Sequence, residues 1–115
     1  MLILICGDRN WADADAIRKQ LLRFNPADHI IMHGNARGAD TIAGTEACKL
    51  GFKVIAVPAK WNRYGKAAGP IRNFEMLGHK PQLVMAFHHN LNESKGTAHM
   101  VKIARESGIT VEVWA

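Results

Sequence analysis

Residues 2–7 read Leu2-Ile3-Leu4-Ile5-Cys6-Gly7, apolar at every position up to the closing glycine. A strand with one wet face alternates apolar and polar residues, whereas an unbroken short run fits a strand covered on both faces. Such strands belong to parallel sheets, whose members are joined by crossover helices. Helical segments are therefore expected between further runs of the same kind.

The rest of the chain supplies them. Asp13 to Phe24 sets Ile17, Leu21 and Phe24 at helical spacing behind Asp13 as N-cap, and Asn25-Pro26 stops the helix. His29 to His33 is a second apolar run, closed by Gly34. Ala39 to Leu50, with Asp40 and Thr41 at its start and Gly51 as its stop, is a second helix. Phe52 to Val57 is a third strand, ended by Pro58. A third helix starts near Gly69-Pro70, with Ile71, Phe74 and Leu77 as its expected buried face. Leu83–Phe87, Thr97–Ser107 and Ile109–Trp114 complete the series as strand, helix and strand. The order β-α-β-α-β-α-β-α-β predicts an α/β protein: a Rossmann-like, doubly wound parallel five-stranded sheet with helices on both faces. Residues 1–115 are expected to form one domain.

Composition agrees with that reading and narrows the partners. With 115 residues, 48% of them apolar and 22% charged, the chain can bury a core without disulfides. The Leu2–Ile5 run is too short for a membrane span and lacks the flanks of a signal peptide, so a cytoplasmic location is expected. Cys6 and Cys48 stand in apolar contexts without CxxC spacing and are read as two buried thiols. No metal or cofactor site is expected: His29 and His33 flank a strand, and the adjacent His88 and His89 point to opposite sides of an extended chain. The net charge of +5 invites an anionic partner, but there is no polybasic tail. What matters is where the arginines fall.

In open α/β sheets, ligands bind beyond the carboxyl ends of the strands. Those segments are Gly7–Trp11, Gly34–Thr41, Trp61–Gly65 with Gly69–Asn73, and Asn90–Thr97, and they carry Arg9, Arg37, Arg63 and Arg72. Helix N-termini present free N–H groups and disfavour cations, yet Arg37 and Arg72 sit at two of them. An anion between the guanidiniums and the N–H groups reconciles the placement. Gly34, Gly38 and Gly96 allow close backbone approach to a phosphate, although each also suits an ordinary tight turn. Ser94 and Thr97 add hydroxyls at the last helix, where Thr97 also serves as an N-cap.

Trp11, Trp61 and Tyr64 lie in the same loops, placed to stack on a base or to cap helix ends. Asp8 and Asp40 either hold a ribose hydroxyl or serve as cap and ion-pair partners, and His99 is a further candidate from the last helix. Glu46 is expected on the solvated side of the second helix, and Trp114 in packing or a subunit contact. The candidate ligand-binding set is Gly7, Asp8, Arg9, Trp11, Gly34, Arg37, Gly38, Asp40, Trp61, Arg72, Asn73, Gly96 and Thr97. Neither GxGxxG nor the Walker GxxxxGK[ST] pattern is present. No catalytic residue is assigned.

Taken together, Gly7-Asp8-Arg9-Asn10-Trp11, Gly34-Asn-Ala-Arg-Gly-Ala-Asp40, Pro58-Ala-Lys-Trp61, Ala68-Gly-Pro-Ile-Arg-Asn73 and Gly96-Thr97 resemble the YspA-like, cpYpsA-related branch of the SLOG superfamily. That superfamily joins the DNA-processing protein A fold with the "lonely guy" phosphoribohydrolases. The resemblance covers nearly the whole chain. It implies a Rossmann-like fold, a pocket for nucleotides or their derivatives, a homo-oligomer, and a bacterial or phage source. The hydrolases carry PGGxGTxxE; the matching stretch here is Ser94-Lys95-Gly96-Thr97-Ala98-His99-Met100, with methionine where the catalytic glutamate would stand. Three functions stay open: binding of a nucleotide-derived, phosphate-bearing signal such as an ADP-ribose-type or cyclic nucleotide; nucleotide hydrolysis using Asp8, Asp40 or Glu46; and single-stranded DNA binding.

Overall fold

In the computed structural model, which describes residues 1–115, five parallel strands form one sheet in the order β3-β2-β1-β4-β5. The strands are β1 (Leu2–Gly7), β2 (Ile30–His33), β3 (Lys53–Ala56), β4 (Leu83–Phe87) and β5 (Thr110–Trp114). The helices are α1 (Ala14–Leu21), α2 (Ala39–Lys49), α3 (Trp61–Tyr64), α4 (Ala68–Gly78) and α5 (Gly96–Glu106). The doubly wound α/β arrangement expected from the apolar runs is the one observed. No helix is long and apolar enough to cross a membrane.

The strand alternation divides the core in two. Ile3 and Ile5 of β1 point toward α1 and α2, joining Ile17, Leu21, Ala43 and Ala47. Leu4 and Cys6 point the other way, onto Met76 of α4 and Met100, Val101 and Ala104 of α5. Both faces of β1 and all of β4 are thus buried, which is why their sequences carry no polar residue.

The chain lays β2 and β3 on one side of β1, then crosses back to lay β4 on the other. β1 and β4 are paired from Ile3–Leu83 to Gly7–Phe87, and the Asp8 amide extends the ladder by donating to the Phe87 carbonyl at 2.8 Å. The loops leaving these two strands turn to opposite faces and open a crevice between them. It is the switch point of the fold.

Several local expectations need correction. The first helix ends at Leu21 rather than Phe24, its last residues continuing as turns, while Asp13 caps it as expected by accepting from the Ala16 amide at 3.1 Å. The stretch after β3 holds α3 and a 3-10 turn at Gly65–Ala67 where only loop was expected, because four residues are too few for periodicity to show. On α4 the buried positions are Ala68, Gly69, Asn73 and Met76; Phe74 is 58% exposed, and Ile71 and Leu77 only partly covered. Glu46 is buried, not solvated, and its carboxylate meets Lys49 at 3.1 Å and Arg18 at 4.0 Å. Of the two cysteines, Cys6 is buried and Cys48 exposed.

Candidate functional site

The crevice at the switch point is a cleft of about 420 Å³. The end of β1 gives Gly7, Asp8 and Arg9; α2 gives Asp40; α4 gives Arg72 and Asn73; and the approach to α5 gives Ser94 to Thr97. A second cleft of about 410 Å³ lies on the other side of Arg9 and Arg72, bounded by Gly34, Arg37, Pro58 and Trp61. Arg9, Ala36 and Arg72 line both.

Arg72 is the part-buried cation of the site. Its Nη1 donates to the Gly34 carbonyl at 2.6 Å and its Nε to Asn73 Oδ1 at 3.1 Å, while no carboxylate lies within 4.0 Å. Burial lowers its pKa, and the more distant Asp40 carboxylate only partly offsets that. Nη2 makes no hydrogen bond within the protein. A half-buried guanidinium with a free donor edge is a site for a phosphate or carboxylate. Asn73 supports it twice, since its Nδ2 also donates to the Gly96 carbonyl at 3.3 Å and meets His99 Nδ1 at 3.0 Å. Through this one side chain α4 holds the start of α5.

Asp40 shapes the β2–α2 loop. Its Oδ2 accepts from the Gly34 amide at 3.0 Å and the Ala36 amide at 3.3 Å, which leaves Oδ1 without a hydrogen bond. Burial pushes its pKa up to about 6, against the opposing pull of the Ala36 amide, Arg72, the Gly34 amide and Arg9. Burial likewise raises the Cys6 thiol well above the ordinary range and lowers His33. The α2 N-terminus is not an open cradle, because the Ala39 amide donates to Asp8 O and the Thr41 amide to Ala36 O. Ser94 Oγ similarly accepts from the Thr97 and Ala98 amides at the start of α5. Guanidiniums, more than helix ends, are the available anion donors.

At the floor, Asp8 and His88 face each other from the ends of β1 and β4, with His88 Nε2 at 3.9 Å from Asp8 Oδ2. The Asn90 amide donates to His88 Nδ1 at 3.0 Å, which puts the ring proton on Nε2, toward Asp8. Asp8 Oδ1 is occupied by the Asn10 amide at 2.8 Å.

Eleven of the thirteen candidate residues from the sequence line one or both clefts; Trp11 and Gly38 do not. Trp11 is 4% exposed, donates its indole N–H to Asp13 O at 2.8 Å, lies edge-on to Phe87 and stacks on His89. It is a core residue. Gly38 has φ +83° and lies so close to the Asp8–Arg9 backbone that a Cβ would overlap it, so it joins two loops without lining either cleft. Among residues that sequence reasoning did not single out for the site, His88, Lys95, Met76 and Met100 also line the first cleft. His88 had a signal available, because it directly follows a strand. Met76 had none, being an apolar residue of a helix, whereas Met100 was marked only by standing where the phosphoribohydrolase motif has glutamate.

Comparison with known proteins places this chain. The model of the YspA, cpYpsA-related SLOG family matches residues 1–64. The "Gene 61 protein" of Mycobacterium phage D29 is 38% identical over 118 residues, covering 95% of this chain and 92% of that protein. No solved structure matches.

Proposed function

We propose that this chain, which belongs to the YspA, cpYpsA-related SLOG family, binds a nucleotide-derived, phosphate-bearing small molecule in the β1–β4 crevice. An ADP-ribose-type molecule or a cyclic nucleotide signal, sensed or sequestered rather than consumed, fits it best. The observation that carries this reading is Arg72, held by Gly34 O and Asn73 with its remaining donor edge unneutralised in the cleft. Arg9 beside it raises the local positive charge, and burial strengthens each charge-assisted hydrogen bond an anion would make.

Hydrolysis is the second reading, and Asp40 is the observation in its favour. A buried carboxyl group with a pKa pushed up to about 6, lining the cleft, suits a general acid or base near neutral pH. Against it, Asp40 already clamps two loop amides, and Met100 lines the cleft where the resemblance to the phosphoribohydrolases calls for a glutamate.

The test is to incubate the protein with mononucleotides, cyclic dinucleotides and ADP-ribose isomers, then identify bound and released species by mass spectrometry. Intact ligand recovered on denaturation supports binding. A new product supports hydrolysis, and retention of oligonucleotides alone defeats both.

A further inference from the structure

The second cleft is not a mere extension of the first. Its lining includes Arg9, Arg37 and Arg72 and no acidic residue, whereas the first sets Asp8 and Asp40 among its cations. Arg37 is exposed and held by a 3.3 Å bond from its Nε to Arg9 O, which keeps three guanidiniums around one depression that no carboxylate lines, Asp40 acting on Arg9 and Arg72 only from the first cleft. Beside them stands Trp61, 49% exposed, its ring 5.9 Å from the Arg9 guanidinium and its far edge resting where Gly69 leaves room. A large aromatic surface left in water beside unpaired cations matches a base next to a phosphate. Each cleft has a volume at the lower end of the roughly 300–1,000 Å³ usual for small-molecule sites.

From this geometry we infer that the ligand is two-ended: two nucleoside-sized halves joined through phosphate, one half in each cleft. The inference rests on the nucleotide reading above and specifies the class of molecule. The linking phosphates lie against Arg9 and Arg72, the only side chains with charge that line both clefts. Arg37 takes the outer charge and Trp61 the outer base. A mononucleotide fills one cleft and leaves the other cation set unused.

Two chemistries share this description, a diphosphate bridge and a phosphodiester link. Titration calorimetry with AMP, the diphosphate-bridged dinucleotide AppA and the phosphodiester-linked dinucleotide pApA separates them. At least one two-ended probe should bind about tenfold or more tightly than AMP, since the second half binds as a tethered group. Which one does so identifies the bridge. In Trp61→Ala and Arg37→Ala the ratio of two-ended to AMP affinity should fall to within about twofold. Both substitutions lie at exposed positions, so melting curves like the parent's are expected. AMP binding as tightly as both longer probes overturns the two-ended ligand while leaving the nucleotide site intact. An affinity ratio that survives both substitutions overturns it equally. Failure of all three probes to bind overturns the nucleotide site and the two-ended ligand together.

Discussion

Arg72 Nη1 donates to the carbonyl oxygen of Gly34 at 2.6 Å, tying α4 to the β2–α2 loop across 38 residues of sequence. The fit leaves no room for a side chain on the loop. A Cβ at Gly34 would stand 2.5 Å from Nη1 and 2.8 Å from Cζ. Arg72→Ala should therefore weaken binding of a phosphate-bearing ligand by about ten- to a hundredfold, the range for one charge-assisted hydrogen-bond set. Gly34→Ala, which keeps the charge and displaces it, should weaken binding in the same direction by less. Calorimetry on folded variants checks both, and parental affinity in Arg72→Ala would remove Arg72 from the site.

Asp40 makes the fold pH-dependent in a direction unusual for a carboxylate. Its pKa stands at about 6 against an ordinary 3.8, so the native state holds the proton more tightly than the unfolded chain. The stabilisation from that proton is complete below about pH 4 and is lost as pH rises through 6. Its size is on the order of 3 kcal/mol as an upper bound. Asp40→Asn removes it and keeps an oxygen for the Gly34 and Ala36 amides. Unfolding free energies from pH 4 to 7.5 should show the parent losing stability relative to Asp40→Asn as pH rises. His33, whose lowered pKa costs stability as pH falls below about 6.5, cancels in that difference.

The same substitution separates the two chemical readings. If Asp40 is a general acid or base, Asp40→Asn should lower turnover by about a hundredfold or more. For a binding protein, the parent yields no product, and Asp40→Asn holds phosphate ligands at least as tightly, because a carboxylate near the anion is gone. Product analysis by mass spectrometry alongside calorimetry reads both. Unchanged turnover in the variant would end Asp40's claim to catalysis.

The architecture was legible because β1 and β4 are buried on both faces and so carry no polar residue to confuse their reading. Arg9, Arg37 and Arg72 were legible from their positions alone, as cations beyond strand ends. Asn73 shows why the face of α4 was not. It is 4% exposed and polar, hydrogen-bonded across to Gly96 and His99, so apolar periodicity pointed instead to the exposed Phe74. Trp11 was drawn toward the ligand by its loop position, but its indole N–H is satisfied only two residues away, which frees the ring to enter the core. Glu46 is covered because α1 packs over α2, a tertiary contact that helix periodicity alone does not reveal.

Gly38 joins the two loops that form the site, and its substitution tests whether that junction sets the cleft. At φ +83° a side chain is strained, and here its Cβ would overlap the Asp8 carbonyl oxygen and reach the Arg9 carbonyl carbon at 2.5 Å. Both obstacles are backbone, so no rotamer change relieves them. Backbone strain of about 1–2 kcal/mol adds to an overpacking cost of about 1–3 kcal/mol. The Ala39 amide also donates to Asp8 O at 3.0 Å, and the displaced loop would lose that bond. Gly38→Ala should thus unfold about 2–5 kcal/mol more easily than the parent in urea. Ligand binding should partly restore its stability, because only the native loop arrangement brings Arg9 and Arg72 to one anion. A variant as stable as the parent would show that the junction gives way locally, and the rigid placement of Arg9 would have to come from elsewhere.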